Sequence, residues 1–87
     1  MKNTLTLTTQ IFKEGKQYVS FNPELEVASC GDTPTEAKEN LIKAIRAFVN
    51  IAKEKGTLAT ILRQAGFTKN KDSWKRTFKT GELSLAI

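Results

Sequence analysis

The sequence predicts an α+β domain: an antiparallel sheet of three to four strands with one long helix packed across it, in the order β-β-β-α-α-β. Three observations carry this. Residues 4–30 contain three short runs of two-residue alternation, separated by turn residues. Residues 33–55 then switch to a 3.6-residue apolar repeat with a start and a stop signal at its ends. The chain has only 87 residues, enough for a single domain with a small core, spanning 1–87.

The elements follow in order. In "LTLTTQIF", Leu5, Leu7, Thr9 and Ile11 point one way and Thr4, Thr6, Thr8 and Gln10 the other, as in a half-buried strand running to Lys13. "KEGK" offers Gly15 for a tight hairpin. "QYVSF" resumes the alternation, with Val19 and Phe21 on one face and Tyr18 and Ser20 on the other. Pro23 lacks an N–H and ends that strand, and "EVASC" forms a third, completing a meander.

"TPTE" writes a helix start. Thr33 is the N-cap, Pro34 suits the first helical position, and Glu36 completes a capping box. In that box the Thr33 hydroxyl accepts the Glu36 N–H and the Glu36 side chain returns to the Thr33 N–H. Ala37, Leu41, Ala44, Ile45, Phe48 and Ala52 form the apolar stripe, widened by Val49 and Ile51, and Gly56 stops the helix after Lys55. A second helix begins at a Thr57 cap, with Leu58, Ile61, Leu62 and Ala65 inward, and ends at Gly66. "TKNKD" reads as a polar loop and "SWKRTFK" as a strand around Trp74 and Phe78. After a Thr80–Gly81 turn, "ELSLAI" alternates through Leu83, Leu85 and Ile87. That pattern suits an edge strand able to recruit another subunit, in a homodimer or higher oligomer.

Composition narrows the chemistry. There is no histidine and one cysteine, so the commonest general base and the usual zinc ligands are missing. No Gly-rich phosphate loop is present, and no cofactor is expected. No apolar run is long enough for a signal peptide or a membrane span, and the lone Cys30 suits a reducing, cytoplasmic setting. Charge is lopsided. Residues 1–37 carry three lysines against five acids, and residues 38–87 carry eleven lysines and arginines against four acids. Dispersed lysines of this kind ordinarily solvate helix faces. A nucleic-acid surface is the sharper reading, with Lys75, Arg76 and Lys79 beside Trp74 as its residues.

The run from Tyr18 to Leu41, "YVSFNPELEVASCGDTPTEAKENL", resembles the HicB-like antitoxins of prokaryotic toxin–antitoxin pairs. It supplies Tyr18, Pro23, Glu24, Leu25, Gly31, Asp32, Thr33, Glu36, Ala37 and Asn40 in the family's order. With the hairpin before it and the helix after it, the resemblance covers about the first 55 residues. It implies a β-β-β-α-β fold similar to a degraded ribonuclease H domain, without catalysis, whose role is to bind and neutralise a small HicA-like mRNA-cleaving toxin. The catalytic carboxylates of true ribonucleases of that shape have no counterpart in the first strand, where Leu5 to Lys13 holds no acid. On this reading Tyr18 and the acids Glu24, Glu26 and Asp32 are the toxin-binding candidates, the two glutamates directed to solvent.

Overall fold

The computed structural model describes residues 4–76 and residue 86. The predicted Phe78 strand position, Lys79, the Thr80–Gly81 turn and the edge-strand residues Leu83, Leu85 and Ile87 lie outside the described residues.

The architecture is α+β, with a long helix across an antiparallel sheet. The strands are β1 (Thr4–Leu5), β2 (Gln10–Glu14), β3 (Gln17–Asn22) and β4 (Val27–Gly31). Helices α1 (Pro34–Glu54) and α2 (Leu58–Gln64) follow, then strands β5 (Phe67–Asn70) and β6 (Ser73–Arg76). Among the described residues the strands form two three-stranded sheets instead of one. In the first, β2-β3-β4 is an antiparallel meander. In the second, ordered β1-β6-β5, β6 pairs antiparallel with β5 and parallel with β1.

The expected first strand is thus split into β1 and β2, and the cause lies in the turn after β3. The Glu24 carboxylate accepts the Thr8 N–H at 2.9 Å and the Thr8 hydroxyl at 2.6 Å. The Asn22 amide donates to the Thr8 carbonyl at 2.8 Å and to Glu24 at 2.6 Å. Two side chains therefore hold Thr8 where a strand ladder would otherwise run, and the chain passes from one sheet to the other. The turn itself is tied by the Leu25 N–H donating to Asn22 Oδ1 at 2.8 Å, with Glu26 at a φ of 56°. Glu24, expected to face solvent, is instead a structural clamp.

Gly15, at a φ of 62°, makes the two-residue β2–β3 hairpin closed by Glu14 and Gln17. Thr33 caps α1, accepting the Glu36 N–H at 3.0 Å. The second half of the capping box does not form: the Glu36 side chain is exposed and makes no bond to the Thr33 N–H. Thr57 precedes α2 without a side-chain cap; its hydroxyl donates to the Ala52 carbonyl instead. The expected "TKNKD" loop is in fact mostly strand. Phe67 and Trp74 are buried on one face of the β5–β6 hairpin, while Thr68, Lys69 and Asn70 are exposed. Phe67 is the one buried residue of β5, and Lys69, on the same face opposite Trp74, is exposed, so polar composition concealed the strand.

Two packing centres result. Leu62, Phe67 and Trp74 form one, with Leu5, Leu7, Leu25, Leu58, Ala59 and Ala65 around them. The other is the contact of α1 with β3 and β4, where Ala37 and Leu41 are buried. There the strand residues beneath the helix are polar. Ser20 and Asn22 are fully buried, and the Ser20 hydroxyl donates to the Ala37 carbonyl at 2.7 Å. Small residues let the backbones approach closely: a Cβ on Gly31 would lie 2.6 Å from the Ala37 nitrogen. The Asn40 amide also donates to the Cys30 carbonyl at 2.9 Å. Among the described residues, every buried side-chain nitrogen or oxygen has a partner.

Candidate interaction surface

Putting Tyr18, Ser20 and Asn22 under α1 turns Val19 and Phe21 to the opposite face, because side chains alternate along a strand. Cross-strand register extends that face. Phe12 lies opposite Val19, which lies opposite Cys30; Gln10 lies opposite Phe21, which lies opposite Ala28. Directly opposed residues share a face, so Phe12, Val19, Phe21, Ala28 and Cys30 form one apolar surface. Among the described residues no helix covers it. Phe12 is 49% exposed, Ala28 and Cys30 are exposed, and Val19 and Phe21 are half-buried. A contiguous exposed apolar face of this kind is a candidate contact site.

The toxin-binding candidates do not gather on that surface. Tyr18 is half-buried on the helix side, opposite Gly31, and Asp32 is exposed just beyond it. Glu24 and Glu26 belong to the turn at the far end of β3. Four residues of strand, about 13 Å, separate the Tyr18 end from Asn22. Glu26 is exposed, whereas the Glu24 carboxylate is occupied by Thr8 and Asn22. Burial pushes the Glu24 carboxyl upward, but hydrogen bonds from the Thr8 hydroxyl and N–H, its own N–H and Asn22 outweigh it, and the net shift is downward from 4.5. Of the four candidates, the acids with no hydrogen-bond partner among the described residues are Glu26 and Asp32, at opposite ends of the sheet.

The nucleic-acid candidates divide between the faces of the second sheet. Arg76 lies opposite Phe67 and shares the face of Trp74, while Lys75 lies opposite Thr68 on the other side. Both are exposed. Arg76 also lines a cleft of about 430 Å³ with Pro23, Glu24, Leu25 and Glu26. Trp74 is only 8% exposed, with the Arg63 guanidinium 5.8 Å and the Lys69 ammonium 6.0 Å from its ring centroid. Its ring belongs to the packing centre and is no platform for a base.

Phe12, Val19 and Phe21 escaped the sequence-based selection of site residues. The signal that identifies them is indirect. Gly31 and Ala37 must touch where the capped helix turns back on the sheet, and register from Gly31 assigns Tyr18 and Ser20 to that side. Among the described residues, no three His, Cys, Asp or Glu side chains come together in a metal-like group. No described helix is long and apolar enough to cross a membrane.

The chain matches no protein-family model, no curated protein and no solved structure.

Proposed function

We propose that this chain is a non-catalytic, antitoxin-like protein that binds and neutralises a small HicA-like mRNA-cleaving toxin by protein–protein contact in the cytoplasm. The observation that carries the reading is the apolar face of Phe12, Val19, Phe21, Ala28 and Cys30, which no helix covers among the described residues. The Tyr18–Leu41 resemblance supports it from the sequence side. The residues of that resemblance act in the fold as scaffold. Asn40 and Thr33 fix α1, Gly31 admits it, and Glu24 clamps Thr8. They hold the sheet with one face open, and a partner is met on that face, with Glu26 and Asp32 at its two ends available to a basic protein.

Co-expression with a toxin frame adjacent in the source genome tests this. The wild-type chain is expected to restore growth and Val19→Lys to lose the rescue while remaining folded. Failure of the wild type to rescue refutes the reading, as does full rescue by Val19→Lys.

A second reading, a small basic nucleic-acid-binding or regulatory domain, rests on one observation. Lys69, Lys71, Lys75 and Arg76 are all exposed on or beside the β5–β6 hairpin.

A further inference from the structure

The sheet β2-β3-β4 has two edges, and they are treated differently. A two-residue hairpin closes on a pair that exchanges both backbone hydrogen bonds. Glu14 and Gln17 are that pair, so Phe12 and Gln10 bond inward to β3 in turn, and Ile11 and Lys13 direct their N–H and C=O groups outward. The same alternation carried across β3 leaves the Cys30 carbonyl outward on β4, where Asn40 is indeed bonded to it at 2.9 Å. The β4 edge therefore has a side chain on it. Along β2, no such bond exists among the described residues, and all five residues are exposed. The strand contains no proline, glycine or bulge, and bears large apolar side chains on both faces, with Ile11 38% and Phe12 49% exposed.

We infer that β2 is the docking edge for β2 of a second copy of this chain, forming a two-fold antiparallel pair centred on Phe12. Two-fold symmetry fixes the sum of the paired residue numbers, and the pleat, which puts opposed side chains on one face, makes that sum even, so one residue faces its own copy. Centring on Phe12 alone pairs all five residues of the strand. It sets Phe12 against Phe12, Ile11 against Lys13 and Gln10 against Glu14, so no like charges are opposed. Centring on Lys13 would oppose two ammonium groups. Centring on Ile11 would require Thr8, already held by Glu24 and Asn22, to face Glu14. Helix α1 lies mainly over β4 and β3, which leaves the helix-side approach to β2 open. The product is a six-stranded sheet whose open face doubles the Phe21, Val19, Phe12 row. This pairing concerns the chain by itself and stands or falls independently of toxin binding.

Sedimentation of the full chain at micromolar to sub-millimolar concentration is expected to show a dimer. Lys13→Pro removes an outward N–H without touching the β2–β3 ladder and is expected to weaken the dimer by roughly tenfold or more, with an unchanged circular dichroism spectrum. In a Cys30→Ser background, Phe12→Cys is expected to form a disulfide-linked dimer on mild oxidation, because non-hydrogen-bonded antiparallel partners have Cα atoms about 4.5 Å apart. Gln10→Cys, facing Glu14 of the partner, is not. A wild-type chain that sediments as a monomer throughout overturns the inference, its own residues 77–87 being one alternative occupant of the edge. A folded Lys13→Pro dimer of undiminished affinity also overturns it. So does equal cross-linking of the two cysteine variants, a comparison that decides the matter should Lys13→Pro fail to fold.

Discussion

Substituting Gly31 with alanine tests how closely α1 sits on the sheet. The Gly31 backbone is outside the left-handed region, so alanine there meets a steric obstacle and no backbone strain. The added Cβ would lie 2.6 Å from the Ala37 nitrogen, 2.9 Å from the Glu36 carbonyl carbon and 3.0 Å from the Glu36 Cβ. Two of the three are backbone atoms in the first turns of a 21-residue helix, so relief requires the helix to lift. Overpacking of this kind costs about 1–3 kcal/mol. Lifting also stretches the 2.7 Å bond from Ser20, whose hydroxyl is buried with no access to water. A stranded buried hydroxyl costs about 1–3 kcal/mol by itself. Partial relaxation keeps the total near about 2–4 kcal/mol, against about 4–13 kcal/mol for a whole domain of this length. The melting temperature should fall by roughly 10–25 °C. Urea denaturation followed by circular dichroism measures the loss. A midpoint shift worth less than about 0.5 kcal/mol would refute the close-approach argument. Adding Ser20→Ala to Gly31→Ala should cost little more, because both act on one contact.

Two further outcomes are expected. The Glu24 carboxyl is held below its ordinary value of 4.5, so its clamp on Thr8 contributes full stability above that pH. The contribution fades as the pH falls through the lower folded value, and Glu24→Gln should flatten this acid limb in denaturation curves taken between neutral and acid pH. Its partial exposure keeps the loss in Glu24→Ala near about 1 kcal/mol. If the basic hairpin binds nucleic acid, Lys75→Gln with Arg76→Gln should weaken binding in a filter or anisotropy assay and flatten its salt dependence. Binding unaffected by salt and by both changes removes that reading.

The helices were legible because their signals are local. Thr33, Pro34 and the 3.6-residue stripe specify α1 without reference to any other part of the chain, and Gly15 specifies the hairpin in the same way. What the sequence concealed depends on partners distant in the chain. Thr8 reads as an ordinary strand residue until Asn22 and Glu24, fourteen and sixteen positions later, are seen to hold it. Polar Ser20 and Asn22 look solvent-facing and apolar Val19 and Phe21 look inward on hydropathy alone. The helix reverses this, because a small hydroxyl that bonds the Ala37 carbonyl suits an approach too close for larger side chains. The candidate surface was illegible for the same reason. Its residues are defined by being on the side that α1 does not take.

The bond from Asn40 to the Cys30 carbonyl has a consequence for assembly as well as for folding. A sheet with two bare edges can accept a strand at each, and copies adding at both would grow without limit into fibres. Asn40 takes up the outward Cys30 carbonyl on the β4 side, one of the acceptors a further strand would use there. If a second copy adds at β2, growth from the other edge meets that occupied acceptor. The residue that anchors the helix would then also work against open-ended growth of the sheet.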